Sequence, residues 1–138
     1  MLDNEKTILL ARELAKALQA SDTYKEFELA RQANDEDEDL QDAIGRFNVA
    51  QMNLEEERGK DGADTGAIAR FSEDMQNAYR DVMDNPNMVR YQHSVDNLSR
   101  LMNYVNGIIS AGVNGEDPDA VTEEDVCTHD CSTCGGCH

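Results

Sequence analysis

Apolar residues recur every three to four positions through most of this chain, a spacing that places them on one face of an α-helix. Stripes of this kind predict helices over about Asp3–Gln19, Asp22–Asn34, Leu40–Glu57 and Ile68–Val82, and a long fifth helix that begins at Pro86. Three glycines and two aspartates between Arg58 and Gly66 are typical of a turn between antiparallel helices. The pattern therefore predicts an all-α fold, an antiparallel bundle of about five helices.

The predicted fifth helix has a wider apolar surface than one bundle contact requires. Its apolar residues alternate four and three positions apart, a 3.5-residue repeat that is typical of coiled-coil-like packing. Leu101 and Ile108 widen this stripe, so we expect the helix to pack both within its own bundle and against another subunit. The predicted interface residues are Tyr91, Val95, Leu98, Leu101, Met102, Val105, Ile108 and Ile109.

The helical pattern ends in Gly112, Gly115, Pro118 and a series of acidic residues, which is the composition of a linker. We therefore predict a helical domain over residues 1–112, an acidic flexible linker over 113–126 and a cysteine-rich tail over 127–138. A flexible linker of this length would span roughly 20–24 Å between its ends. The tail could then reach beyond the surface of the bundle.

The chain has 138 residues, which suits one ordinary domain, and a formal net charge of −17. Such a surface repels phosphate backbones, so direct binding to nucleic acid is not expected. The sequence has no run of about 20 apolar residues and no basic-then-apolar start of a signal peptide. We therefore expect a cytoplasmic protein without a membrane segment.

The helical part offers no convincing catalytic motif. The acidic run Asp35–Asp39 lacks the ligand spacing of an EF-hand and is predicted to be a solvated cap for the next helix. Gly59-Lys60-Asp61 lacks the ending of a phosphate-binding loop. A Cys/His nucleophile pair cannot be argued on the helices, because all the cysteines lie in the tail.

Four cysteines within eleven residues form the most specific motif of the chain, with spacing C-x3-C-x2-C-x2-C-H. In a reducing compartment such clustered cysteines are more often metal ligands than disulfide partners. Zinc sites usually consist of two separated pairs, so the compact spacing favours an iron–sulfur cluster and leaves zinc as the alternative. The predicted ligands are Cys127, Cys131, Cys134 and Cys137, and His129 or His138 could substitute for one of them.

Two segments of the helical part resemble the YlbF/YmcA family of bacterial regulators. They are Ser21-Asp-Thr-Tyr-Lys-Glu-Phe27 in the second helix and Met83-Asp-Asn-Pro-Asn-Met-Val-Arg-Tyr91 at the start of the fifth. The order of the helices agrees, and the resemblance extends over roughly residues 3–112. The cysteine tail strengthens the resemblance, because some family members carry one.

This resemblance implies an all-α regulator without enzymatic activity. It implies a homodimer, or a hetero-oligomer with related YlbF-like subunits and a PSP1-domain protein, in a complex that carries iron–sulfur clusters, expected to be of the 4Fe–4S type. The family is implicated in competence, sporulation, biofilm development and RNase Y-dependent maturation of mRNA. An acidic adaptor that leaves contact with RNA to a nuclease agrees with this role.

Two other functions fit the same tail. A small iron–sulfur electron carrier would show reversible one-electron cycling with a cognate reductase. A zinc-stabilised interaction module would contain zinc in place of iron and sulfide. Metal analysis of protein purified without oxygen separates the zinc module from the two iron–sulfur functions.

Overall fold

A computed structural model describes residues 2–126, with side chains from residue 4 onward. Its helices are α1 (Leu2–Ala20), α2 (Asp22–Glu36), α3 (Glu38–Arg58), α4 (Thr65–Asp84) and α5 (Pro86–Val113), followed by short 3-10 turns at Pro118–Ala120 and Glu123–Asp125. No strand occurs among these residues. The all-α prediction, with five α-helices of which the fifth is the longest, is confirmed.

The chain forms two compact units, and α2 and α5 each contribute residues to both. One unit is Glu28–Gln92, and the other consists of the described residues before and after it. These units are defined by contacts within the folded chain. The division predicted from composition, with boundaries at residues 112 and 126, stays a prediction.

The core of the Glu28–Gln92 unit lies between α3 and α4. Leu40 and Ala43 near the start of α3 pack with Val82 near the end of α4, so the two helices are antiparallel. Leu40 is fully buried, at 0% exposure. Two alanines, Ala43 on α3 and Ala78 on α4, are nearly as buried. Because their side chains are small, the helix backbones can approach closely at these positions.

The turn between α3 and α4 is fixed by carboxylates at its two ends. Glu57 accepts hydrogen bonds from Lys60 Nζ at 2.9 Å and from the backbone N–H of Asp64 at 2.9 Å. Asp64 caps α4 by accepting the backbone N–H of Gly66 at 2.9 Å. Gly62 lies between them with φ of 72°, a conformation that favours glycine. The predicted turn between Arg58 and Gly66 is confirmed.

Asp37, in the middle of the acidic run, joins the start of α3 to the start of α5. Its Oδ1 accepts the backbone N–H of Leu40 at 3.0 Å, which is an N-cap contact. Its Oδ2 accepts the side-chain amides of Asn85 at 3.0 Å and Asn87 at 2.9 Å. Asn85 in turn caps α5 by accepting the backbone N–H of Asn87 at 2.8 Å. The predicted cap in this run is therefore Asp37, and it also makes a tertiary contact.

Acidification is expected to weaken the folded state through Asp37. The backbone N–H of Leu40, and then the amides of Asn87 and Asn85, hold the pKa of this carboxyl below its ordinary value of 3.8. The unfolded chain therefore takes up the proton first, so the stabilisation is complete above the ordinary pKa and is lost as the pH falls through the lowered one. Urea unfolding of wild type and Asp37→Asn between about pH 6 and pH 2.5 measures this loss.

The Asp37→Asn variant should lose less stability than wild type over that range. Asp61 is an exposed carboxylate in the α3–α4 turn, and Asp61→Asn, which removes the same charge, is the matched control. Parallel profiles for all three proteins would show that Asp37 does not link folding to pH.

Candidate functional site: exposed helix faces and an acidic segment

Helix α1 leaves almost all of its apolar surface open to solvent. Of its described side chains only Leu18 is half-buried, and the others are exposed. The large apolar residues among them are Ile8 (50% exposed), Leu9 (57%), Leu10 (57%) and Leu14 (37%). A helix in a globular protein usually buries such a stripe, and a contiguous exposed apolar patch marks an interaction surface.

Part of the predicted interface on helix α5 is already covered by other residues of the same chain. Tyr91, Val95, Leu98, Leu101, Val105 and Ile108 are half-buried. Met102 and Ile109 are exposed, at 36% and 51%, and Val113, which the sequence analysis did not single out, is exposed at 83%. The exposed part of α5 is therefore narrower than the predicted set, and its role as a subunit interface stays a prediction.

The sequence analysis did not predict that α1 exposes apolar residues on more than one face. The spacing of three to four residues within Asp3–Gln19 selects Leu10, Ala11, Leu14, Ala17 and Leu18, a stripe that one bundle contact could cover. The signal that could have found more is the run Ile8-Leu9-Leu10, because three consecutive apolar residues point away from the helix over about 200° and cannot all face one partner.

The two helices whose exposed apolar residues are described above, α1 and α5, are the least acidic helices. Exposed large apolar residues also occur on α2 to α4, at Leu29, Val49, Met52 and Tyr79. Helix α1 carries three acidic and three basic residues, and α5 carries Asp96 against Arg90 and Arg100. Residues 22–84 carry 18 acidic and seven basic residues. Association through α1 and α5 therefore brings together surfaces that do not repel, whereas association through α2 to α4 would oppose like charges.

Residues 114–126, called the acidic segment below, contact α5 through Val121 and Val126. The hydroxyl of Tyr104 on α5 donates a hydrogen bond to the backbone carbonyl of Val121 at 3.2 Å. Asp125 accepts hydrogen bonds from the backbone N–H of Thr122 at 2.8 Å and from its hydroxyl at 2.9 Å. The backbone bond to Thr122, followed by the hydroxyl bond, lowers the pKa of Asp125. These contacts give the segment local structure, and its predicted role as a linker stays a prediction.

Val126, the last described residue, lies against the backbone of α5 at Gly107. A β-carbon at residue 107 would lie 3.3 Å from Val126 Cβ and overlap Val126 Cγ1. The missing side chain at Gly107 therefore forms a notch that Val126 fills.

The predicted metal ligands Cys127, Cys131, Cys134 and Cys137, and the predicted substitutes His129 and His138, lie outside the described residues. Within the described part of the chain, no group of three or more His, Cys, Asp or Glu residues could hold a metal ion. The donor set of the tail is four thiols, which chemically suits either an iron–sulfur cluster or zinc.

No helix in the described part of the chain has the length and apolar character needed to cross a bilayer.

These features define an all-α protein whose described candidate site is a set of exposed apolar helix faces. The chain belongs to the YlbF/YmcA family, because residues 8–114 match the family described as "Control of competence regulator ComK, YlbF/YmcA". The family predicted from the two helix-start segments is thereby confirmed, and it is a family of regulators. The match ends where the acidic segment begins.

Similar proteins include a "UPF0342 protein" of Caldicellulosiruptor saccharolyticus, which is 29% identical over 108 residues. The "UPF0342 protein" of Caldicellulosiruptor bescii is also 29% identical over 108 residues. Each alignment covers 78% of this chain and 88% of the relative. No solved structure matches this chain.

Proposed function

We propose that this chain is a non-enzymatic regulatory adaptor of the cytoplasm, which assembles with copies of itself or with related YlbF-like subunits. The observation that carries the proposal is the uncovered apolar surface of α1, on a helix with no net charge in a chain of net charge −17. Monomeric proteins rarely expose an apolar surface of this kind, whereas a subunit interface removes it from water. Membership of a regulatory family supports the same conclusion.

The cofactor in this proposal is an iron–sulfur cluster, of the 4Fe–4S type, held by Cys127, Cys131, Cys134 and Cys137. The support is the spacing of the four thiols, which places all ligands within eleven residues. A bound cluster would give the adaptor a group that responds to oxygen or to iron supply.

The partners in this proposal are related YlbF-like subunits and a PSP1-domain protein, through which the adaptor would modulate RNase Y-dependent processing of mRNA and development. Support comes from the charge of the chain, because a surface of net charge −17 does not attract RNA. The adaptor would then act on RNA by binding proteins.

Anaerobic purification with quantitation of iron, acid-labile sulfide and zinc tests the cofactor. We expect a brown protein that contains iron and sulfide. Cys131→Ala should lose most of the chromophore, because Cys131 is an internal ligand that His138 at the far end of the tail cannot readily replace. Ser132→Ala, its neighbour in the same tail, is the matched control and should keep the chromophore.

Stoichiometric zinc without iron or sulfide, even after anaerobic reconstitution, would contradict the cluster and favour the zinc-stabilised module. Reversible one-electron cycling of the cluster with a reductase would favour an electron carrier over an adaptor.

A further inference from the structure

We propose that the groove between α3 and α4 is a docking site for a basic amphipathic helix of a partner protein. This groove, called the α3–α4 groove below, lies within the Glu28–Gln92 unit. It runs along α3 from Gln41 to Asn53, and Asp74 and Asn77 of α4 line its other side. The inference rests on the proposed adaptor function and deepens it, because it names the chemistry of a partner and a surface separate from α1 and α5.

The dimensions of the α3–α4 groove suit a helix. The stretch of α3 from Gln41 to Asn53 is about 18 Å long, since an α-helix rises about 1.5 Å per residue. The groove has a volume of about 750 Å³, which is room for several side chains. Buried Ala50 and exposed Val49 give it apolar surface. Two antiparallel helices leave a groove of this kind, and a third helix commonly packs into it in helical bundles.

Gly45 provides the place where a partner could approach the backbone of α3 most closely. Glycine in the interior of a helix is destabilising relative to alanine, so its presence calls for a packing reason. A β-carbon at residue 45 would meet no described atom within 4 Å beyond its own helix backbone and chain neighbours. Gly107 in α5 differs, because a β-carbon there would overlap Val126. The missing side chain at Gly45 therefore leaves room that a side chain of a partner helix can occupy.

The charge around the α3–α4 groove favours a basic partner. Helices α3 and α4 together carry ten acidic and four basic residues, a net charge of −6. Asp42 and Asp74 line the groove itself. Arg46 also lines it, but its guanidinium is held by Asp42 and Asp81, each at 3.1 Å. The positive charge of Arg46 is therefore compensated, and Lys or Arg beside the apolar face of a partner helix would complement the remaining carboxylates.

The same charge argues against other occupants of the groove. A second copy that presented its own α3 and α4 would bring like charges together. Nucleic acids and anionic membrane surfaces are repelled for the same reason. A small-molecule site would enclose most of its ligand, whereas Asp42, Val49 and Asp74 along this groove are exposed.

A displayed peptide library tests the docking. Its members are helices of about 15 residues, long enough to span the groove, with leucine and alanine on one face and Lys, Glu, Gln or Ala at every other position. Selection on the full chain should yield peptides enriched in Lys. Their affinity should fall as salt is added, because salt screens the attraction between opposite charges.

Variants of the full chain then locate the binding site of a selected peptide. Gly45→Leu fills the groove and Asp74→Lys reverses a lining charge, so each should weaken binding roughly tenfold or more in titration calorimetry. Gln51→Leu and Glu55→Lys make matched changes at exposed positions of α3 outside the groove. These controls should keep the affinity within about twofold of wild type, since surface substitutions away from a contact have small effects. Circular dichroism verifies that every variant keeps its helices.

Recovery of no binding peptide, or of peptides without enrichment in Lys, would overturn the basic partner. Equal binding by Gly45→Leu and Gln51→Leu would overturn the groove as the site. Light scattering on the same variants examines the second copy as an occupant, and weaker self-assembly in Gly45→Leu than in Gln51→Leu would overturn the partner helix in its favour.

The proposed self-assembly can fail independently of this docking. Leu10→Glu on α1 should bind a selected peptide as tightly as wild type, because Leu10 lies outside the groove. A wild-type chain that binds the peptide but does not assemble with copies or related subunits would refute the proposed α1 interface and leave the docking site in place. A chain that assembles but binds no basic peptide would refute the docking alone.

Discussion

Replacing Leu10 on α1 or Ile109 on α5 by glutamate is expected to disperse the assembly of this protein. Both side chains are exposed in the single chain, at 57% and 51%. If subunits bury them, each glutamate places an unpaired carboxylate in an apolar contact, at a cost of several kcal/mol. Association should weaken roughly a hundredfold or more, since each 1.4 kcal/mol is about a factor of ten. Sedimentation or light scattering over a range of concentrations measures the change.

The helicity of both variants should stay at the wild-type level, because neither side chain is part of a described core. Gln19→Glu on α1 and Asn97→Glu on α5 add the same charge at exposed polar positions and should leave the assembly intact. Each protein is measured alone and after co-expression with related subunits, which distinguishes a homodimer from a hetero-oligomer. Unchanged assembly in both glutamate variants would show that subunits meet elsewhere.

Substitutions at the half-buried residues of α5 separate an effect on folding stability from an effect on subunit association. Leu101→Glu and Ile108→Glu affect side chains that are already partly covered within their own chain. These variants should therefore lower the stability of the chain as well as its association. Loss of association without loss of stability would assign both residues to the interface alone.

Replacing Leu40 by alanine is expected to cost about 2–5 kcal/mol of folding free energy. Leu40 is fully buried and forms a core cluster with Ala43 and Val82. Ile44, Met83 and Met88 pack against this cluster. Truncation removes its buried apolar surface and leaves a cavity that the neighbouring helices can close only in part. Because small domains have only about 5–15 kcal/mol of stability, this loss should be evident in the urea midpoint.

Val49→Ala is the matched control on the same helix. Val49 is 58% exposed, so its truncation removes little buried surface and should change stability by about 0.5 kcal/mol or less. A Leu40→Ala variant as stable as Val49→Ala would mean that the α3–α4 contact does not hold this unit together.

The helices could be read from the sequence because the signals that define them are local. Pro86 begins α5 as predicted, and the glycines and aspartates after Arg58 form the turn before α4. Capping and helical periodicity depend on residues within one or two turns of each other, so they are visible in a short window of sequence. The family was recognisable for the same reason, since its two segments lie at helix starts.

The candidate site could be predicted only in part. The four thiols and their spacing are sequence facts, and they define the proposed ligand set. On α5, the apolar repeat located a surface but could not separate Met102 and Ile109, which are exposed, from Leu98 and Val105, which are half-buried. Exposure depends on which other elements cover a helix face, and periodicity alone does not contain that information.

The sequence by itself determined that this chain is an acidic all-α protein with a compact cysteine motif, because composition, periodicity and short spacings carry these properties. Contacts between residues that are far apart in the sequence were determined only by the tertiary structure. Asp37 meets Asn85 and Asn87, which lie 48 and 50 residues later. Val126 fills a notch at Gly107 on α5. Such contacts depend on how helices pack and where the chain returns, and these are properties of the folded chain as a whole.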